Sequence, residues 1–202
     1  MICIGLTGGI GVGKTTVAGF FSERDVIVLE ADKIVHQFLT SDHWVYQEIV
    51  SHWGHHCLIP GEKAVDRKKL AEFVFQEKGA LKQLLDILYP PLKQVVEEEM
   101  KKASNLGIPF FLFDASQILE AGWEKMFDIL ILVRAEFEKR RDRLLKEGRL
   151  NLDQILLRMG FQWPDWIKMR YVDFVVDNSG SLQNTRDAVD RIYDELLRYP
   201  HG

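Results

Sequence analysis

Near the amino terminus, Gly8-Gly9-Ile10-Gly11-Val12-Gly13-Lys14-Thr15 fits the pattern G-x-x-x-x-G-K-[S/T]. Glycines at this density let successive backbone amides turn inward without Cβ clashes, which makes an anion-binding nest at a helix N-terminus. Lys14 then reaches the β- and γ-phosphates of a nucleotide, and the Thr15 hydroxyl is placed to ligate Mg²⁺. The backbone of Gly9, Gly11, Val12, Gly13, Lys14, Thr15 and Thr16 is therefore the expected phosphate-binding set. The plain alternative is a glycine-rich turn with a solvent-facing lysine. It is disfavoured by the apolar run before the motif and the helical pattern after it. The cradle alone does not separate kinases from GTPases or ATPases. The guanine-reading Asn-Lys-x-Asp is absent, so ATP is the expected occupant.

Transfer of a phosphoryl group to a hydroxyl also needs a group that orients the acceptor and takes its proton. Asp32 stands just after the second apolar run, at the carboxyl edge where open α/β sheets bind ligands. Its structural alternative is to cap a helix starting near Lys33. Asp114 closes the third apolar run and is a second candidate for Mg²⁺ or its water shell. Lys139, Arg140, Arg141, Arg143, Lys146 and Arg149 form a basic cluster suited to screening the transferring phosphoryl group, or simply a solvated helix face.

Elements must position these groups. Apolar runs at residues 1–6, 26–29, 109–114, 127–133 and 173–176 read as strands, the first of the continuous kind that is buried on both faces. Helical patterns cover residues 14–24, 33–39, 42–53, 67–76, 80–104, 136–146, 151–159 and 184–197, with Asp66 as a cap for the fourth. Tyr89-Pro90-Pro91 is expected to kink or break the long helix. Residues 54–63 read as a loop or short hairpin. Strands alternating with helices predict an α/β fold with a parallel sheet.

The composition suits one globular domain, and a net charge of −4 gives no overall attraction to nucleic acid or an anionic membrane. No apolar run approaches the ~20 residues of a membrane helix, and residues 2–6 are too short for a signal peptide. The two cysteines form no CxxC pair, and Cys3 reads as a small buried hydrophobe. A soluble, cytoplasmic protein is expected, either a monomer or a weak homo-oligomer. His52, His55, His56 and Cys57 have ligand-like spacing, but the surroundings favour a helix end over a metal site. Trp163-Pro164-Asp165-Trp166 reads as aromatic packing beneath a lid, with a substrate-stacking surface as the alternative.

Several dispersed motifs resemble the dephospho-coenzyme A kinase family. They are Ile4-Gly5-Leu6-Thr7 running into the glycine loop, Ala31-Asp32, Val65-Asp66-Arg67-Lys68-Lys69-Leu70 and Val74-Phe75. Further on come Glu120-Ala121-Gly122, Arg158 with Gln162, and Asp173-Phe174-Val175-Val176-Asp177-Asn178-Ser179-Gly180-Ser181-Leu182. The match runs from residue 1 to about residue 197. The resemblance implies a P-loop three-layer α/β/α fold with a five-stranded parallel sheet. Its core would cover approximately residues 1–40, 106–135 and 170–198, with a helical substrate-binding insertion at 41–105 and a helical lid at 136–169.

It further implies ATP and Mg²⁺ as cofactors and dephospho-CoA as the small-molecule substrate, phosphorylated on its ribose 3′-hydroxyl. Lys14, Asp32, Arg143 and Arg149 would be catalytic, and Asn178 would belong to an adenine-contacting loop. Asp32, Arg67, Tyr89 and Glu120 would touch the acceptor, and Thr15 and Asp114 the metal. The sequence departs from the family pattern at Glu30, at Tyr89 where a histidine is usual, and at Ser116-Gln117-Ile118-Leu119. In the lid, Glu147 stands at the second arginine of Arg-Leu-x-x-Arg. These departures keep two alternatives open: another P-loop kinase for nucleosides, nucleotides or other small molecules, and a non-catalytic ATP-binding regulator.

Overall fold

The computed structural model describes residues 1–148 and 150–199. Five strands, β1 (Ile2–Thr7), β2 (Val26–Glu30), β3 (Phe110–Asp114), β4 (Ile129–Arg134) and β5 (Phe174–Asp177), form one sheet in the order β2-β3-β1-β4-β5. The sheet is parallel, as the continuous apolar runs predict. Nine α-helices are described: α1 (Lys14–Ser22), α2 (Ala31–Phe38), α3 (Trp44–Trp53), α4 (Arg67–Gln76), α5 (Ala80–Asn105), α6 (Phe137–Lys146), α7 (Leu152–Gly160), α8 (Asp165–Lys168) and α9 (Leu182–Leu196).

The chain divides into two compact units, residues 30–98 and the remainder. In the larger unit, strand alternation sorts the core. Ile2, Ile4 and Leu6 of β1 lie in register with Phe110, Leu112 and Asp114 of β3, and Ile4 and Leu6 with Ile129 and Ile131 of β4. The apolar members of that set join Val17, Phe21, Val189 and Ile192, from α1 and α9, in one buried cluster. The intervening residues build a second layer, where Phe113 stacks on Phe127 at 6.0 Å and tilts against Trp123. Gly5 is required beneath it, because a Cβ there would lie 2.6 Å from Leu130.

The smaller unit is helical. Asp66 caps α4 as expected, accepting from the amides of Lys68 and Lys69. Two isolated antiparallel bridges, Leu58 with Val65 and Thr40 with Ala64, tie down the loop after α3. The histidine cluster is occupied locally. His52 engages the Glu48 carbonyl, His56 sets its ring on Phe73, and Cys57 Sγ donates to the Gly54 carbonyl. Among the described residues no three potential metal ligands converge.

Three expectations need correction. The α5 helix runs without a break through Pro90 and Pro91. Adjacent prolines forfeit their two backbone bonds within one turn, and the remaining turns of a 26-residue helix carry it across. Cys3 is half-buried rather than fully buried. Trp163 and Trp166 are not packed beneath anything, being 39% and 57% exposed. Among the described residues, no helix is long and apolar enough to cross a membrane.

The core assignment makes a measurable claim. Ile131→Ala, at a position with no exposed surface, should cost ~2–5 kcal/mol in urea denaturation. Leu106→Ala, at 75% exposure, should change stability by less than about 1 kcal/mol.

Candidate active site

The glycine loop leaves the carboxyl end of β1, the central strand, and enters α1. Gly13 adopts φ 89° as the residue before that helix, a left-handed conformation costly for any residue with a side chain. A Cβ there would also lie 2.2 Å from Asn178 Nδ2. No side chain caps α1, so its first amides stay available to an anion.

Lys14 lies at the edge of this loop, with its ammonium donating to Ser116 Oγ at 3.0 Å. It also stands 3.7 Å from Asp114 Oδ1, where side-chain exposures of 15% and 9% limit solvent screening. Thr15 is exposed at the first turn and Thr16 half-buried. The Thr15 hydroxyl, in the first turn of α1, and the Asp114 carboxylate, at the end of β3, are hard oxygen donors of a kind that suits Mg²⁺.

The loop carbonyls are held from outside. Arg140 Nε donates to Ile10 O at 2.9 Å, and Arg143 Nη1 donates to Val12 O at 3.1 Å and Gly11 O at 3.5 Å. Arg143 Nη2 donates to the carbonyl of Asn178 at 2.6 Å. Asn178 Nδ2 donates to Val12 O at 2.8 Å, while its Oδ1 accepts from Thr185 Oγ1 at 2.8 Å. Two loop amides are also engaged, Ile10 N–H donating to Gln162 Oε1 at 2.8 Å and Val12 N–H to Gly9 O at 3.5 Å. Arg140 is buried, which pulls its pKa below the usual arginine range, and Asp165 at 3.9 Å opposes that shift.

Several expected roles change on this geometry. The Asn178 side chain bonds Val12 O and the Thr185 hydroxyl, so it braces the loop. Arg143 reaches the loop, but its guanidinium is bonded to carbonyls. Glu120 is not an open acceptor contact. Its Oε1 accepts from the Trp163 amide at 2.8 Å and pairs with Lys168 Nζ at 2.9 Å. Glu147 is exposed at the end of α6, and Arg140 and Arg143 are the residues of that helix bonded to the loop. Arg149 lies outside the described residues.

In the helical unit Asp32 does not cap its helix. The helix begins at Ala31 and Asp32 sits in the first turn, where its charge meets the positive end of the helix dipole. Its carboxylate is 89% exposed and lies 3.6 Å from Arg67 Nη2. Tyr89 is half-buried on α5.

Lys168 is the residue the sequence did not disclose. A lysine between Ile167 and Met169 carries no local sign of burial, and its carboxylate partner stands far back in the chain. Gln162 did stand out in the motif with Arg158, but without a role.

A glycine cradle on the central strand of a parallel sheet, with its lysine beside a strand-end carboxylate, defines a P-loop nucleotide-binding protein. A sequence model of the dephospho-CoA kinase family matches residues 2–184. The dephospho-CoA kinase of Aquifex aeolicus is 39% identical over 197 residues, covering 98% of each chain. Among solved structures, a Thermus thermophilus protein superposes with a TM-score of 0.77 at 28% identity, over 96% of this chain and 97% of that one. Dephospho-CoA kinase from Campylobacter jejuni gives 0.69 at 25% identity, covering 96% of each chain. The chain belongs to the dephospho-CoA kinase family, and as a kinase it uses ATP as phosphoryl donor.

The brace on the loop is testable. Asn178→Ala removes one of the two side-chain donors to Val12 O and the shorter of the two bonds made by the Thr185 hydroxyl, and should cost about 1–3 kcal/mol of stability in thermal or urea unfolding. Bound ATP should recover part of that loss as a rise in Tm, because ligation of the native state stabilises it.

Proposed function

We propose that this protein transfers the γ-phosphoryl group of ATP to the ribose 3′-hydroxyl of dephospho-CoA, completing coenzyme A. The observation that carries this reading is the placement of Lys14, half-buried between Asp114 and Ser116 at the mouth of the glycine loop, in a chain of this family.

The loop amides and the N-terminus of α1 would hold the ATP phosphates, with Lys14 on the β- and γ-phosphate oxygens. Thr15 and Asp114 would hold Mg²⁺, which would neutralise phosphate charge when bound. Asp32 would accept the proton of the 3′-hydroxyl at a carboxylate oxygen. Its carboxylate is open to solvent 3.6 Å from Arg67 Nη2, where a substrate hydroxyl can reach it. Arg67 and Tyr89 would contact the acceptor. Arg143, with Arg149, would serve the transferring group, Arg143 exchanging a loop carbonyl for a phosphate oxygen as nucleotide enters. A reducing, cytoplasmic setting suits the two free cysteines, and a monomer or weak homo-oligomer suffices for this chemistry.

The test is ADP release with Mg·ATP and dephospho-CoA. Wild type should turn over, and Lys14→Ala and Asp32→Asn should each lower kcat by roughly 10²- to 10⁴-fold while remaining folded. A folded wild type that binds ATP and transfers nothing to dephospho-CoA would sink the proposal.

A further inference from the structure

Lys168, the last residue of α8, has no exposed surface. Burying an ammonium is costly unless it is paired and hydrogen-bonded, and even a paired ion often stabilises less than an apolar replacement. Its partner is Glu120, whose Oε1 lies 2.9 Å away with that side chain 10% exposed. Oε1 also accepts from the Trp163 amide at 2.8 Å, while the other oxygen, Oε2, is buried and accepts no hydrogen bond among the described residues, so this carboxylate is only partly compensated. Such a pair is a poor device for stability alone.

Its geometry suggests another use. Lys168 Nζ also donates to the backbone carbonyl of Ser116 at 2.9 Å. That carbonyl takes a second donor, Thr7 Oγ1, at 3.0 Å, from the last residue of β1. Ser116 is thereby pinned from the central strand on one side and from α8 on the other. The hydroxyl of this fixed residue accepts from Lys14 Nζ at 3.0 Å.

We propose that Lys168 is a positioning residue for phosphoryl transfer: it fixes Ser116 so that the serine hydroxyl sets the ammonium of Lys14, with Glu120 supplying the counter-charge. This rests on the reading of Lys14 as the phosphate-holding lysine. The chemistry is aim rather than contact. Lys14 must meet charge that develops on the transferring group, and an ammonium displaced by about 1 Å loses much of that benefit.

Burial pulls the pKa of Lys168 below the ordinary lysine range, with Glu120 opposing and the nearby ammonium of Lys14 adding to the shift. The two cations thus share one small region held together by Ser116.

The experiment measures kcat with Mg·ATP and dephospho-CoA, beside Tm, in the full chain. Lys168→Met alone would leave Glu120 unpaired, so it is combined with Glu120→Gln to keep the buried site neutral. The second variant is Ser116→Ala, which keeps the backbone carbonyl and removes only the hydroxyl that meets Lys14. Each should lower kcat by roughly 10- to 100-fold at a Tm near wild type. Combining all three substitutions should lower kcat no further than the worse of the two. Lys168→Arg with Glu120 intact should recover part of the loss.

Losses that multiply in the combined variant, or a kcat for Ser116→Ala equal to wild type, would overturn the inference. If the paired variant fails to fold, Ser116→Ala still decides. A Lys14→Ala control separates the two levels. Loss of turnover there, with none in Ser116→Ala, removes this inference alone. Full turnover by Lys14→Ala removes the reading of Lys14 and the inference with it.

Discussion

A backbone that turns its amides toward an anion must turn carbonyls the other way, and those carbonyls need donors of their own. Buried backbone acceptors are almost always paired, so a phosphate cradle is only as stable as the shell that satisfies its outer face. Here that shell is made by side chains from distant parts of the chain. Arg140 takes Ile10, Arg143 takes Gly11 and Val12, and Asn178 takes Val12 as well. Charged donors suit the task because their hydrogen bonds are roughly twice as strong as neutral ones. The basic helix beside the loop is therefore part of the loop's construction, whatever else its arginines do during a reaction.

That shell explains two features that sit poorly with a purely catalytic account. Asn178 is buried and hydrogen-bonded at both ends of its amide, which is how a side chain fixes one structure against another fixed point. Glu147 replaces a cation of the family pattern, yet it is exposed at the end of α6, and the loop has donors without it. The substitution alters a surface charge and leaves the carbonyl shell intact.

The parts legible in the sequence were those whose signals are local. Buried parallel strands are continuous apolar runs, so the sheet could be read off residues 2–6 and 110–114 without knowing their partners. The glycine loop and the Asp66 cap are likewise short patterns with one physical meaning each. What stayed hidden depends on contacts between distant residues. Nothing near Lys168 announces Glu120, and nothing near Asn178 announces Val12. Propensity failed in α5, where two prolines that end most helices are carried by the turns around them. It failed again at Trp163 and Trp166, whose size suggested burial. Indole surface instead stays exposed, with Arg170 over one ring and Tyr171 beside the other.

The strand order has a consequence for how the chain comes into being. The first strand made is the central one, and both of its neighbours, β3 and β4, come from beyond residue 109 of a 202-residue chain. As the polypeptide leaves the ribosome, the apolar β1 segment therefore waits with two open edges until the residues beyond 109 have been synthesised. Closing so long a loop is entropically slow, and exposed strand edges invite pairing with other chains meanwhile. The residues between, which build their own compact helical unit, are in a position to fold during that wait. Nascent chains of this topology are thus most exposed to aggregation, and to capture by chaperones, in the interval before the third strand emerges.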